Sequence, residues 1–207
     1  MTKTDQVESP LGSSFRDPNG FVFQRRGRLL RQINPSGLAD YRRLMDSGLY
    51  AELRDRGWLV AHEELAADQG LDDRARTVLQ PEPIPFVSYP YEWCFGQLRA
   101  AAILTLRCQR LAMQYGMSLR DASAFNVQFR GCRPSLIDTL SFGELQENRP
   151  WVAYRQFCQH FLAPLALMAY RDASLGSLLR LHLDGIPLDL AAGLLAGRGR
   201  FSPRLAL

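Results

Sequence analysis

Residues 118–138 decide the fold, and they read SLRDASAFNVQFRGCRPSLID. Four residues separate Asp121 from Asn126, and Asp138 follows twelve positions after Asn126, directly behind an apolar pair. Two β-prone pieces lie between Asn126 and Asp138, separated by a glycine and a proline, which is typical of a hairpin. Because a hairpin holds the residues at its two ends side by side, the sequence predicts that Asn126 and Asp138 lie close together.

A long helix is predicted just before this stretch, from Glu92 to Tyr115, because its apolar residues form one broad face. Helix, loop, hairpin and final aspartate together resemble the catalytic loop and metal-binding aspartate of the protein-kinase-like fold. The resemblance implies that Asp121 accepts the proton of an attacking hydroxyl, and that Asn126 and Asp138 hold Mg²⁺ against the phosphates of ATP. The spacing alone is common in proteins, and turn or capping roles are the alternative for all three residues.

A small lobe with a hairpin of its own is predicted ahead of the long helix. Residues 21–23 and 29–33 are β-prone runs on either side of a short turn that contains glycine. Arg31, on the second strand, is the candidate phosphate ligand, and a strand residue facing solvent is the alternative. Gly20 precedes the first strand and either offers its backbone N–H to a phosphate or simply begins the hairpin. Residues 61–80 are charged and are expected to be exposed.

Four prolines between residues 81 and 90 predict an extended connector, because proline fixes its own φ and restricts the residue before it. We therefore expect a flexible arm over residues 1–14, a small N-terminal lobe over 15–87 and a helical C-terminal lobe over 88–207. The expected class is α+β, with a reduced protein-kinase-like fold. Glu92 lies at the junction, where its aromatic neighbours could line a nucleotide-base pocket or where Glu92 could cap the helix.

Several uncommon strings resemble the N-terminal part of bacterial nodulation-protein-related, NoeA-like SAM-dependent methyltransferases. The resemblance spans about residues 15–205, and its clearest strings are FRDPNGFVF at 15–23, RQINP at 31–35, SYPYEW at 88–93 and FLAPLAL at 161–167. It implies a methyltransferase domain or subunit as partner, with S-adenosylmethionine as cofactor only where such a domain is joined. No strand is followed here by a glycine-rich turn and a downstream ribose-binding acid, so methyl transfer by this chain alone is not expected.

Three functions follow from these two resemblances. The first is an ATP- and Mg²⁺-dependent phosphotransferase acting on the hydroxyl of a small molecule or carbohydrate. The second is a non-catalytic module that scaffolds a methyltransferase or presents substrate to it, and the third is methyl transfer itself. Lys3 is the only lysine, and it lies in the predicted arm. Arg31 is therefore the natural substitute for the lysine with which kinase-like enzymes hold phosphate.

The composition sets broad limits on the class of protein. The chain has 207 residues, of which 46% are apolar and 22% charged, and these fractions exclude a wholly disordered protein. No apolar run is long enough to span a membrane, and residues 1–14 lack a signal-peptide core, so we expect a cytoplasmic protein without a membrane partner. The net charge is +4, but acidic residues are interspersed among the arginines, and no nucleic-acid partner is expected. The four cysteines lack metal-ligand spacing and are expected to be reduced and mostly buried.

Overall fold

The computed structural model describes residues 17–196 and opens with a four-stranded antiparallel sheet. The predicted arm at 1–14, with Lys3, lies outside the described residues, as does the C-terminal end of the predicted helical lobe. The strands of the sheet occur in the spatial order β1-β2-β4-β3. Their bounds are β1 (Gly20–Arg25), β2 (Arg28–Ile33), β3 (His62–Leu65) and β4 (Thr77–Pro81).

The first hairpin is confirmed as the antiparallel pair β1–β2. Arg26 and Gly27 both have positive φ, 48° and 76°, as a two-residue turn between antiparallel strands of this twist requires. The expectation that residues 61–80 are exposed holds for only part of the segment, because β3 and β4 lie there and three of its residues are buried. Val78 and Leu79 are buried on opposite faces of β4, which is a central strand. The charged residues around this apolar pair masked the strand in the sequence.

Two helices, α1 (Pro35–Asp46) and α2 (Leu49–Asp55), connect β2 to β3. The long helix is confirmed as α3 (Phe95–Gln114), which begins three residues later than predicted because a separate 3₁₀ turn spans Pro90–Glu92. The main core forms around α3 and includes buried residues of α1, α2 and the helices that follow. The apolar face of α3 therefore packs against residues that come before the connector in the chain and against residues that come after it.

Four short strands follow α3. The predicted hairpin is confirmed as the antiparallel pair β6–β7, whereas the pair β5–β8 was missed because each of its strands has only three residues. The four strands are β5 (Met117–Leu119), β6 (Val127–Arg130), β7 (Arg133–Leu136) and β8 (Phe142–Glu144).

The C-terminal part is helical, as predicted. It contains α4 (Tyr154–Phe157), a π-helical segment (Cys158–Leu162), α5 (Ala163–Tyr170), a 3₁₀ helix (Ala173–Arg180) and α6 (Leu188–Leu195). The π-helical segment separates α4 from α5, and Pro164 lies in the first turn of α5. Asp172 caps the 3₁₀ helix, because its carboxylate accepts the N–H of Ser174 at 2.7 Å.

The expected α+β class is thus confirmed. All four cysteines are free, as expected. Cys108 and Cys158 are buried, but Cys94 and Cys132 are exposed, so the expectation that most of them are buried is correct for only two. Within residues 17–196, no helix combines the length and the apolar character that crossing a bilayer requires.

Candidate functional site

A cavity of about 490 Å³ lies between the four-stranded sheet and the β6–β7 hairpin. Four of the six predicted site residues line it, namely Arg31, Asp121, Asn126 and Asp138. Arg31 comes from β2, Asp121 from the loop after β5, and the other two from opposite ends of the hairpin. Residues far apart in the chain are therefore brought to one concave surface of the size that small ligands occupy.

Arg31 joins the sheet to the end of the hairpin through Asp138. Its Nη2 lies 2.9 Å from Asp138 Oδ1 and 3.8 Å from Asp17 Oδ2. The side chains of Arg31 and Asp138 are only 12% and 18% exposed, so this ion pair is partly shielded from water. The Nε atom of Arg31 is buried and has no hydrogen-bond partner among the described residues.

Asp138 also closes the turn that follows the hairpin. Its Oδ1 accepts the backbone N–H of Leu140 at 2.9 Å, in addition to the contact with Arg31. Its other carboxylate oxygen accepts no hydrogen bond and joins no ion pair within residues 17–196. Asp138 therefore combines the capping role that the sequence allowed with a free oxygen at the cavity wall.

Asn126 lies beside Asp138 because the backbone joins the two ends of the hairpin. The N–H of Ile137 donates to the Asn126 carbonyl at 2.9 Å, and the Asn126 side-chain amide donates to Ser141 Oγ at 3.2 Å. This leaves the side-chain oxygen of Asn126 without a partner in the described chain. An amide oxygen and a carboxylate oxygen are the hard ligands that Mg²⁺ prefers, so the two residues fit that ion.

Only one carboxylate oxygen of Asp121 accepts hydrogen bonds from the described residues. Its Oδ1 accepts two hydrogen bonds of 2.8 Å, from the backbone N–H of Ser123 and from Nε2 of Gln156. For Oδ2 there is no such donor between residues 17 and 196. The carboxylate thus has one fixed oxygen and one that can accept a proton from a bound ligand.

No group of three or more His, Cys, Asp or Glu side chains able to hold a metal occurs within residues 17–196. Mg²⁺ commonly takes only one or two side-chain ligands and completes its shell with water and phosphate oxygens. Two side-chain oxygens from Asn126 and Asp138 are therefore enough for a metal that arrives with a phosphate ligand, but not for a metal bound by protein alone.

Gly20 and Glu92 do not line the cavity. The N–H of Gly20 already donates to the carbonyl of Asp17 at 3.3 Å, and a Cβ at this position would lie 2.1 Å from the Gln32 carbonyl oxygen. Close approach of β1 to β2 thus explains the glycine. The carboxylate of Glu92 accepts the N–H of Tyr89 at 2.7 Å and caps the 3₁₀ turn at Pro90–Glu92.

The connector forms a further wall that sequence reasoning missed. Gln128, on β6, is buried and exchanges two hydrogen bonds with the backbone of Ser88, accepting its N–H at 3.0 Å and donating to its carbonyl at 2.9 Å. This anchors the connector against the hairpin, so that Ile84 and Val87 face the cavity. With Val22 and other apolar residues of the sheet, they add apolar surface to the lining of the cavity.

His62 is the other residue that sequence reasoning missed. It lines the cavity from β3, and its Nε2 lies 3.0 Å from the Tyr41 hydroxyl, which donates to Glu64. Because the Tyr41 hydroxyl donates its proton to Glu64, it can only accept from His62, and Nε2 is then the protonated ring nitrogen. Nδ1 is buried without a partner in the described chain, and burial lowers the pKa of His62 to about 4. Nothing in the local sequence marks this contact between α1 and β3.

Comparison with known proteins shows that the chain is similar to a nodulation protein. The chain is 35% identical to nodulation protein NoeA of Rhizobium meliloti (strain 1021) over 202 residues, which cover 94% of the chain and 41% of that protein. The predicted resemblance to NoeA-like proteins is confirmed by this match. The chain spans about two fifths of the length of the curated relative it matches. No protein-family model matches the chain.

Proposed function

We propose that this relative of NoeA is a kinase-like module that binds ATP with Mg²⁺ and transfers phosphate to the hydroxyl of a small molecule or carbohydrate. We further propose that it works with a SAM-dependent methyltransferase, as the resemblance of its sequence implies. The proposal of ATP binding and phosphate transfer rests on one observation. Arg31, Asp121, Asn126 and Asp138, chosen for their residue types and spacing, line a single cavity.

The order of elements supports a kinase-like fold. A strand bearing the cation is followed by α1, two further strands of the same sheet, the connector and the long helix α3. The loop with Asp121 and Asn126 comes next, and the hairpin leads to Asp138. Kinase-like proteins arrange their phosphate-binding cation, catalytic loop and metal-binding aspartate in this order. In this proposal the small lobe is residues 15–87 and the helical lobe 88–207, with the cavity between them.

Each residue has a role that its contacts allow. Asp121 accepts the proton of the acceptor hydroxyl on its unpaired oxygen. Asn126 and Asp138 hold the metal, which when bound neutralises charge on the phosphates and orients them. Arg31, which lines the cavity, contacts phosphate through its guanidinium, a planar donor in place of the usual lysine ammonium. Its ion pair with Asp138 keeps the guanidinium at the metal-binding end of the cavity.

A calorimetric titration with ATP tests this proposal, in the presence of Mg²⁺ and after its removal with EDTA. We expect the wild type to bind ATP only with Mg²⁺, and Asp138→Ala to lose that binding. Asp189→Ala is the matched control, since Asp189 is exposed at the start of α6 and does not line the cavity. Unchanged binding in Asp138→Ala would overturn the metal assignment, and no binding by the wild type would overturn the phosphotransferase.

A second candidate is a site for S-adenosylmethionine, and the charge of the cavity favours it. Four carboxylates, those of Asp17, Glu82, Asp121 and Asp138, line the cavity with a single guanidinium. S-adenosylmethionine carries a sulfonium and an ammonium group, which such a lining attracts. The same titration with S-adenosylmethionine decides between the two ligands. A protein that binds neither is better explained as a non-catalytic scaffold that presents substrate to a methyltransferase.

A further inference from the structure

We propose that Gln156 is a positioning residue for the Asp121 carboxylate, an inference that rests on the proposed phosphotransferase. Both the NH₂ group and the oxygen of its side-chain amide form hydrogen bonds with the loop that contains Asp121. Its Nε2 donates to Asp121 Oδ1 at 2.8 Å, and its Oε1 accepts the backbone N–H of Ala122 at 2.7 Å. One side chain from α4 thus fixes the candidate base and the peptide group directly after it.

Gln156 is itself held firmly. It lies in α4 directly before Phe157 and Cys158, which are both buried, so the backbone beneath its side chain belongs to the core. Trp151, just before α4, donates its indole N–H to the carbonyl of Leu119 at 2.6 Å. The start of this helical region therefore holds the loop on both sides of Asp121, through Leu119 before it and Ala122 after it.

The hydrogen bonds to Asp121 decide which of its oxygens is free. A carboxylate can rotate about its terminal torsion and exchange its two oxygens, because that torsion is broad. Donors from Gln156 and from the backbone of Ser123 both meet Oδ1, which opposes this rotation. Oδ2 is left to take the proton of the acceptor hydroxyl while the hydroxyl oxygen bonds to the γ-phosphorus of ATP. The bond from that phosphorus to the bridging oxygen breaks, and ADP leaves with the electron pair.

Amide hydrogen exchange tests the structural half of this inference without any ligand. We expect exchange at Ala122 to quicken about tenfold in Gln156→Ala, since the acceptor of its N–H is lost. Gln156→Glu keeps an acceptor oxygen for Ala122 but has no donor for Asp121, so exchange at Ala122 should stay close to that of the wild type. Gln159→Ala is the matched control, because Gln159 lies in the adjoining π-helical segment and makes no side-chain hydrogen bond within the described residues.

Turnover of MgATP, with water as acceptor, tests the catalytic half. We expect kcat to fall at least about tenfold in both Gln156 variants with KM for MgATP unchanged, because Gln156 does not line the cavity. Wild-type exchange in Gln156→Ala would overturn the inference, as would a wild-type kcat in Gln156→Glu. If the wild type shows no turnover while exchange at Ala122 quickens as expected, the proposed function fails and the hold of Gln156 on the loop stands.

Discussion

Acidification should destabilise this protein through His62, which is neutral in the folded chain. Its Nδ1 is buried without a partner among the described residues, so a proton added there gains no hydrogen bond and loses contact with water. Burial accordingly lowers its pKa from 6.5 to about 4. In the unfolded chain His62 takes up a proton as the pH falls below about 6.5, whereas in the folded chain it does so only near pH 4. Its contribution to stability is complete above pH 6.5 and is lost as the pH falls toward 4.

The size of this effect follows from linkage. Between pH 7 and pH 5 a shift from 6.5 to about 4 changes the free energy of unfolding by about 2 kcal/mol. Since His62 is only half-buried, water screens part of the cost, and we expect a loss of about 1 to 2 kcal/mol. For a chain of this size such a loss is a sizeable part of the total stability.

Urea denaturation of the wild type and His62→Gln at pH 7 and pH 5 measures this loss. Glutamine retains a donor for the Tyr41 hydroxyl but does not titrate, so the variant should lose about 1 to 2 kcal/mol less between the two pH values. Burial also lowers the pKa of His160, but His160 is present in both proteins and its effect cancels in the comparison. Equal losses in the two proteins would refute the assignment of the buried neutral ring.

Three further predictions concern other parts of the fold. A double-mutant cycle of Arg31→Ala and Asp138→Ala, followed by urea denaturation, should give a coupling free energy of about 1 to 3 kcal/mol, because the ion pair is largely shielded from water; additive losses would contradict this. Gly20→Ala should cost more than about 2 kcal/mol, because its Cβ would lie 2.1 Å from a backbone oxygen of β2; a thermal melt like that of the wild type would be inconsistent with that contact. In a thiol-reactivity assay the exposed Cys94 should react at once, whereas Cys108 should react only on unfolding, because burial raises its pKa to about 12; prompt labelling of Cys108 in the folded protein would count against its burial.

Features fixed by local chemistry could be predicted from the sequence. The β1–β2 hairpin has a turn that needs positive φ, and the glycine at position 27 supplies it. The helix α3 is twenty residues long, and its apolar residues recur with the period of a helix along that length. The β6–β7 hairpin follows from its Gly131 turn, and with it the closeness of Asn126 and Asp138 at its ends.

Features fixed by contacts between distant segments could not be predicted. The pair β5–β8 has three residues in each strand, too few for a period of two to be visible. Arg31 could be assigned to a strand, but its partner Asp138 could not, because nothing in the local sequence gives the orientation of the sheet against the hairpin. Nothing in the local sequence singles out Gln156, and only the packing of α4 against the loop brings it to Asp121.

The charge of the cavity bears directly on the choice between nucleotide and S-adenosylmethionine. Four carboxylates and one guanidinium line it, and Lys3, the only lysine in the chain, lies outside the described residues. A polyphosphate entering alone would meet an excess of negative charge, so ATP should bind only with a divalent cation, and EDTA should abolish its binding. S-adenosylmethionine has the opposite requirement: its binding should not depend on Mg²⁺ and should weaken as salt screens the carboxylates. Titrations of each ligand with EDTA and at two salt concentrations separate these cases, and ATP binding that survives EDTA would show that Arg31 alone suffices as a phosphate clamp.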